Sequence, residues 1–412
     1  MKSKRLLTLV LLLAFPHWPA AAQGLKAAKN ITFDKAAFDQ SLVGAVGPSV
    51  MGYQYVLVRD GKVVTEKAGG TARTAQDGGP MKMTVNTPLN IGSLQKFITG
   101  TAMINIMEKP WVYSPDKDKP LQTRLDRKMS TLFPYVWSKN MMKGVGNISF
   151  RQLLQHRSGF DDAYKGDRNV MGFIKEGFNP AQFDKREYSN INFTMVGYLL
   201  PLYHEPGLAN SFDQSISSNK LADDAADAYV RDVLGKKMHQ MFVDRIFSKM
   251  TPSIKPSCDA TNELKATAGY GYQTKSSTKG VIASMIEKKG HCSGEGGYFM
   301  SARDFANYVA HFSVTDLIVT KTGHDAMFTE GMTPDDRLVW TAASGDNWMK
   351  EKFQMPVVVW SNGIPANGKT VLIRLPQNHY LVLFTNSDEL GVNQLYNASV
   401  AAFKAGMQHN FN

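Results

Sequence analysis

The sequence is poor in long apolar runs, in blocks of like charge and in cysteine. After the N-terminal region no run reaches the ~20 apolar residues that a membrane-spanning helix needs, so a multispanning membrane protein is excluded. The net charge of +11 is scattered along the chain, which favours a solvated surface over a nucleic-acid groove. No internal repeat or low-complexity tract is present. With 412 residues, 43% of them hydrophobic, the chain can bury a large core in one domain or two closely packed ones.

The only cysteines are Cys258 and Cys292. In an oxidising compartment two cysteines predict a single disulfide. Cys292 follows His291, but two potential ligands without a third do not make a metal site. We therefore predict no metal and no cofactor, and keep a nucleophilic Cys292 as an alternative.

The N-terminus has the three parts of a secretory signal peptide. Three basic residues precede an apolar run and a small-residue cleavage site: Lys2, Lys4 and Arg5, then residues 6–15, then the alanines at 20–22. The apolar run is too short for a transmembrane anchor. We predict a signal peptide over residues 1–22, a mature chain from Gln23, and a periplasmic or secreted protein.

Strand patterns lie at both ends of the mature chain, with helical patterns between them. Val50–Ala68 is typical of a hairpin that turns at Asp60-Gly61. Strands are predicted near the C-terminus, and a helix follows them: Met355–Trp360, Lys369–Leu375, Tyr380–Thr385, then Val392–Met407. We predict an α/β (α+β) fold in one domain, residues 23–412. Its antiparallel sheet combines N- and C-terminal strands, with helices flanking it and a mostly helical insertion at about residues 110–277.

Ser93 and Lys96 are the first candidates for chemistry. Residues three apart share a helix face, so the Ser93 hydroxyl can meet the Lys96 amine. A serine becomes nucleophilic when a neighbouring base takes its proton, and a desolvated lysine can be that base. This spacing alone is also compatible with a helix-capping serine and a surface lysine.

Tyr188-Ser189-Asn190 precedes a predicted helix over Phe193–Tyr203. A phenol can relay a proton if a nearby ammonium, here Lys96, lowers its pKa, and an amide side chain can hold a substrate carbonyl. The alternative is a turn with a buried tyrosine.

Four segments in order resemble the serine β-lactamase and penicillin-binding protein superfamily. The likeness is to its class C branch, which includes D-alanyl-D-alanine carboxypeptidases and esterases. Gly92–Phe97 resembles the nucleophile motif, and Leu153–Phe160 resembles a Leu-Leu-x-His-x-Ser-Gly motif. Tyr188–Asn190 with Val196–Tyr198 resembles the Tyr-Ser-Asn helix start, and Gly294–Phe305 resembles a Gly-Gly motif. The resemblance implies a β-lactamase/transpeptidase-like fold and acyl transfer through an active-site serine.

By this resemblance Ser93 is the nucleophile and Lys96 its proton acceptor or electrostatic helper. Tyr188 is then the general base in acylation and the activator of water in deacylation, and Asn190 orients the substrate. His156, in the Leu-Leu-x-His motif, is expected to be structural.

The superfamily also has Lys-Thr-Gly, or a His-x-Gly variant, on the strand beside the active site. A literal Lys321-Thr322-Gly323 is present, but its context predicts helix and loop. Ser361-Asn362-Gly363, at the end of a predicted strand, is the better positional match. The backbone N–H groups of Ile364 and Ser93 would then form the oxyanion hole.

Ser361 is uncharged, so an anchor for a substrate carboxylate is missing unless Lys369 or Arg374 supplies it. We therefore predict an exported serine hydrolase that acts on a small acyl ester or amide. A cell-wall D,D-carboxypeptidase or penicillin-binding protein, or a β-lactamase, is the nearest alternative, with a cell-wall peptide as substrate in the peptidase case. A non-catalytic binding module on the same fold is the other. No nucleic-acid partner and no membrane span are predicted, and the oligomeric state stays open.

Overall fold

The structure is a computed structural model, and eight stretches of the chain are described: residues 32–110, 116–166, 169–286, 292–329, 337–339, 341–342, 358–363 and 367–407. The predicted signal peptide and Gln23 lie outside these residues. So do His291, Ile364 and the first residues of the strand predicted from Met355.

Within the described part, seven strands form one antiparallel sheet. The strands of this part are β1 (Gly52–Arg59), β2 (Lys62–Arg73), β3 (Met81–Lys82), β4 (Leu89–Asn90), β5 (Phe299–Met300), β6 (Thr341–Ala342), β7 (Val358–Gly363), β8 (Lys369–Leu375) and β9 (His379–Thr385). The order across the sheet is β3-β2-β1-β9-β8-β7-β6, and β4 and β5 form a separate pair. Pairing of β1 with β9 joins the two ends of the chain, which confirms the predicted sheet.

The hairpin between β1 and β2 turns where the sequence predicts it. Asp60 and Gly61 have φ values of 48° and 73°, and this left-handed pair matches the right-handed twist of the strands. Side chains of β1 are buried on both faces of the sheet. Val56 and Val58 enter the larger core, whereas Tyr55 and Leu57 enter a second core on the opposite face.

Helices cover both faces of the sheet. The second core packs against α1 (Lys35–Val46) and a C-terminal helix, α13 (Val392–Met407), whose bounds match the prediction. The larger core surrounds α2 (Gln95–Glu108), which is buried on nearly all sides. A helix with no exposed face lacks an amphipathic pattern, because all its side chains contact protein.

The middle of the chain is mostly helical. Its helices are α3 (Leu121–Leu125), α4 (Tyr135–Ser138), α5 (Phe150–Leu154), α6 (Val170–Lys175), α7 (Asn190–His204), α8 (Leu208–Ser218), α9 (Asp223–Arg245) and α10 (Asn262–Thr267). Further along lie α11 (Ala302–Val314) and α12 (Lys321–Thr329). Helix α7 packs between α2 and α9, which brings the region after Tyr188 against the start of α2. None of the helices in the described ranges combines the length and hydropathy that a bilayer crossing requires.

Candidate active site

Ser93 lies in a tight 3-10 turn, Gly92–Leu94, that leads directly into α2. Gly92 has a φ of +54°, a left-handed conformation that glycine adopts without steric cost. The Asn90 side-chain carbonyl accepts the Gly92 N–H at 2.9 Å. The Thr370 hydroxyl on β8 donates to the Ile91 carbonyl at 2.9 Å. The turn is therefore fastened to the sheet on one side and continues into the most buried helix on the other.

The Lys96 side chain is fully buried, one helical turn from Ser93. Its Nζ lies 2.6 Å from Ser93 Oγ, 2.8 Å from Asn190 Oδ1 and 2.6 Å from the Glu295 carbonyl oxygen. The alternative of a surface lysine is therefore wrong. Two of the three neighbours can only accept a hydrogen bond, whereas the serine hydroxyl can also donate one.

Tyr188 also contacts Ser93. Its hydroxyl lies 2.9 Å from Ser93 Oγ and 3.3 Å from Asn190 Oδ1, and its ring centroid is 5.3 Å from Lys96 Nζ. The sequence-derived quartet thus meets around one hydroxyl oxygen. Asn190, placed before the helix by the sequence pattern, is in fact the first residue of α7.

The pKa of Tyr188 is raised to about 12, chiefly because its hydroxyl is desolvated. The hydrogen bond with Ser93 lowers the pKa, while the carboxylates of Glu295 and Asp162 raise it. The sequence analysis considered Lys96 as an ammonium that could lower this pKa; the pKa is instead raised overall, and burial of the hydroxyl is the main cause. Although the residue as a whole is 41% exposed, the phenol is protonated at neutral pH.

The segment from Cys292 to Tyr298, here called the strap, supplies the carbonyl that Lys96 contacts. Its Ser293 carbonyl accepts from the Gln95 amide at 2.6 Å, and the Gly294 carbonyl accepts from the Thr99 hydroxyl at 2.8 Å. The Tyr298 N–H donates to Gln95 Oε1 at 2.9 Å. The strap is therefore bound along the first turns of α2.

Gly294 is required where the strap passes between α2 and α7. A β-carbon at this position would lie 2.3 Å from the Phe193 carbonyl oxygen and 2.9 Å from the Gly197 α-carbon. The first residue of the strap is disulfide-bonded to Cys258, so Cys292 is not available as a nucleophile.

Glu295 is a site residue that the sequence analysis missed. Its carbonyl contacts Lys96, and its carboxylate accepts a hydrogen bond from the Thr194 hydroxyl, one turn along α7 from Asn190. The sequence signal for this residue was the Gly-Gly motif, which includes Glu295 but does not indicate that its carbonyl contacts Lys96.

Ser361-Asn362-Gly363, the segment predicted to border the site, lies in β7. β7 runs beside the turn that carries Ser93, and it ends with Asn362 opposite Thr370 and Gly363 opposite Lys369. Ile364, the proposed second oxyanion donor, lies outside the described residues. The roles assigned to Ser361, Asn362 and Gly363 stay predictions.

The literal Lys-Thr-Gly is remote from Ser93. Lys321 begins α12, its side chain is 87% exposed, and it pairs with Asp325. The Gly323 N–H donates to the carboxylate of Glu108 at 2.6 Å, and Glu108 is the last residue of α2. At a rise of about 1.5 Å per residue, the length of α2 separates this motif from the nucleophile.

Lys369 and Arg374, the two cations considered as anchors for a substrate carboxylate, each contact another side chain. Lys369 is ion-paired with Asp388, and the Arg374 guanidinium lies 3.9 Å from the ring centroid of Phe328. Within the ranges that the structure describes, no group of three or more histidine, cysteine or acidic side chains could hold a metal ion.

Ser93, Lys96 and Tyr188 thus lie together beside the antiparallel sheet. The sequence model of the beta-lactamase family matches residues 38–405. The chain therefore belongs to the beta-lactamase family.

Several solved structures share this fold. A beta-lactamase from Sulfitobacter sp. EE-36 has 13% identity and a TM-score of 0.62, with 93% of this chain and 99% of that one covered. D-alanine carboxypeptidase AmpC from Burkholderia cenocepacia has 14% identity and a TM-score of 0.62, with coverages of 90% and 100%. The octameric penicillin-binding protein homologue from Pyrococcus abyssi has 14% identity and a TM-score of 0.56, with coverages of 92% and 80%. Comparison with curated proteins gives no significant match.

Proposed function

We propose that this protein is an exported serine hydrolase that forms an acyl-enzyme at Ser93 and hydrolyses an ester or amide bond. One observation carries the proposal: Ser93 Oγ lies 2.6 Å from Lys96 Nζ and 2.9 Å from the Tyr188 hydroxyl. A hydroxyl that contacts both a base and an acid can lose its proton to the base, while the acid supplies a proton to the leaving group.

Lys96 is the better proton acceptor in acylation. As a neutral amine it would donate to the two pure acceptors, Asn190 Oδ1 and the Glu295 carbonyl, and accept the Ser93 proton. Tyr188 has a pKa of about 12, so it is a protonated phenol before the reaction. This argues against the general-base role in acylation that the resemblance gave to Tyr188.

In acylation Ser93 Oγ attacks the substrate carbonyl while its proton passes to Lys96. The backbone N–H groups of Ser93 and Ile364 are the proposed donors to the oxyanion. Collapse of the tetrahedral intermediate breaks the bond to the leaving alcohol or amine, which takes its proton from the Tyr188 phenol.

In deacylation the resulting Tyr188 phenolate takes a proton from water, and the hydroxide attacks the acyl carbonyl. Ser93 then leaves with the proton held on Lys96, and both groups return to their starting forms. Asn190 contributes by holding Lys96 and by orienting the acyl group.

The substrate class we favour is an uncharged acyl ester or amide. By the resemblance Ser361 takes the position where the superfamily has a cation, and Lys369 and Arg374 contact Asp388 and Phe328. A substrate carboxylate, as in a β-lactam or a peptide C-terminus, would lack the charge-assisted contact that usually holds it.

The test uses three probes on purified protein: a fluorescent fluorophosphonate, a fluorescent penicillin and p-nitrophenyl acyl esters. We expect fluorophosphonate labelling and ester turnover, both lost in Ser93→Ala. Penicillin labelling at comparable rates would instead support the D,D-peptidase alternative, and rapid penicillin turnover a β-lactamase. No labelling and no turnover would refute the hydrolase proposal and leave a binding module.

A further inference from the structure

His156 contacts three consecutive residues around the proposed acid. Its carbonyl accepts the Glu187 N–H at 2.8 Å, and its ring Nδ1 accepts the Ser189 N–H at 3.3 Å. Between these two bonds its ring stacks on the Tyr188 ring, with centroids 4.6 Å apart and planes inclined by 28°. One residue thus holds the backbone on both sides of Tyr188 and the aromatic ring itself.

The backbone of His156 has an uncommon conformation. Its φ is +56°, a left-handed value that few residues other than glycine adopt, although histidine adopts it more often than most. His156 follows α5, and its N–H donates to the Leu153 carbonyl at 3.1 Å. This conformation lets both the carbonyl and the ring of one residue reach the segment that carries Tyr188.

The ring of His156 serves as a neutral acceptor. It is buried, and Nδ1 also lies 3.2 Å from the side-chain amide of Asn192. Because the Ser189 N–H can only donate, Nδ1 carries no proton. Burial, the largest cause, holds the pKa of His156 well below its usual value.

Tyr188 needs such support. Its residue surface is 41% exposed, and its hydroxyl must stay 2.9 Å from Ser93 Oγ. Its hydroxyl contacts Ser93 and Asn190. His156 stacks against its ring.

We infer that His156 is a positioning residue that sets the place of the Tyr188 phenol beside Ser93 through its Nδ1 acceptor and its ring. This inference rests on the proposed function, because it gives Tyr188 a part in acyl transfer. His156 contacts the Tyr188 ring, the neighbouring backbone and the Asn192 side chain.

Two substitutions separate the contributions of the acceptor and the ring. His156→Phe keeps an aromatic ring against Tyr188 but leaves the Ser189 N–H without its partner. His156→Asn places a side-chain oxygen near the position of Nδ1 and tolerates the left-handed backbone. The control is His379→Phe, since His379 is equally buried and its ring packs near Phe33 and Phe403 at the far end of the sheet.

The readout is the rate at which fluorophosphonate labels Ser93, measured in the Tyr188 enzyme and in a Tyr188→Phe background. We expect His156→Phe to slow labelling about tenfold or more, as an unpaired buried donor would, and His156→Asn to slow it less. In the Tyr188→Phe background the loss should nearly vanish, because the residue being positioned has lost its hydroxyl. His379→Phe should leave labelling unchanged in both.

Equal losses in the two backgrounds, or a His156→Asn enzyme at least as impaired as His156→Phe, would overturn the inference. If His156→Phe does not fold, the labelling rate of His156→Asn is measured in both backgrounds. We then expect slower labelling in the Tyr188 enzyme and no further loss in the Tyr188→Phe background. Failure of the proposed function has another signature, since wild-type protein would then not be labelled at Ser93.

Discussion

Replacing Gly294 by alanine tests whether the strap holds Lys96 in place. The new β-carbon would lie 2.3 Å from the Phe193 carbonyl oxygen, so the strap or α7 must move by about 1 Å to restore ordinary contact. The Phe193 carbonyl belongs to a buried helix, so the strap is the part that yields. Overpacking of this kind costs about 1–3 kcal/mol, and contact with backbone places the expected loss near the upper value.

The same movement affects the site. The contact between the Glu295 carbonyl and Lys96 Nζ is 2.6 Å long, and lengthening by about 1 Å takes it beyond hydrogen-bond range. A misplacement of this size near a reacting group can cost about a hundredfold in rate. We therefore expect Gly294→Ala to lower both the free energy of unfolding and the rate of Ser93 acylation.

The assay is urea unfolding followed by tryptophan fluorescence, with fluorophosphonate labelling on the same samples. Gly44→Ala is the matched control, because Gly44 is exposed in α1 with no atom within 4 Å of the added β-carbon. In a helix this change stabilises by about 0.5–1 kcal/mol, and labelling should not change. A Gly294→Ala protein with wild-type stability and wild-type labelling would refute the reasoning.

Three further predictions concern individual side chains. Lys96→Met keeps a buried chain of similar length and should slow acylation by about 10²–10⁴, the usual value of a general base; an unchanged labelling rate would remove Lys96 from the mechanism. Tyr188 should ionise with a midpoint near its pKa of about 12, measured as the phenolate absorbance that Tyr188→Phe lacks. Since the pKa is raised, the phenol stays protonated through neutral and mildly alkaline pH. A midpoint below the ordinary tyrosine value would contradict this. Lys321→Ala removes an exposed residue paired only with Asp325 among the contacts described and should leave ester turnover intact; loss of turnover would show that the strand element is misplaced.

The parts of the fold that follow from local chemistry were predictable from the sequence. Asp60-Gly61 specifies a hairpin turn, and β8 is a continuous run between turn signals, so its bounds agree with the prediction. The two-residue strands β3 to β6 were not predictable, because so short a segment has no periodicity. Their positions depend on tertiary contacts.

The sequence predicted the parts of the candidate site that depend on particular side chains, but not those that depend on the backbone or on packing. Ser93, Lys96, Tyr188 and Asn190 were identified by side chain and order, and they lie together. The carbonyl of Glu295 was not predictable, since every residue has one and only the fold directs it to Lys96. The raised pKa of Tyr188 was not predictable for a related reason, because desolvation depends on packing that neighbouring residues in the sequence do not reveal.

The central claim is that Ser93 becomes covalently acylated, and intact-protein mass spectrometry with peptide mapping tests it most directly. After brief exposure to a p-nitrophenyl ester and acid quenching, we expect one acyl group on the peptide containing Ser93, and none in Ser93→Ala. An enzyme that turns over the ester with no adduct there, or with the adduct on another residue, would contradict the account.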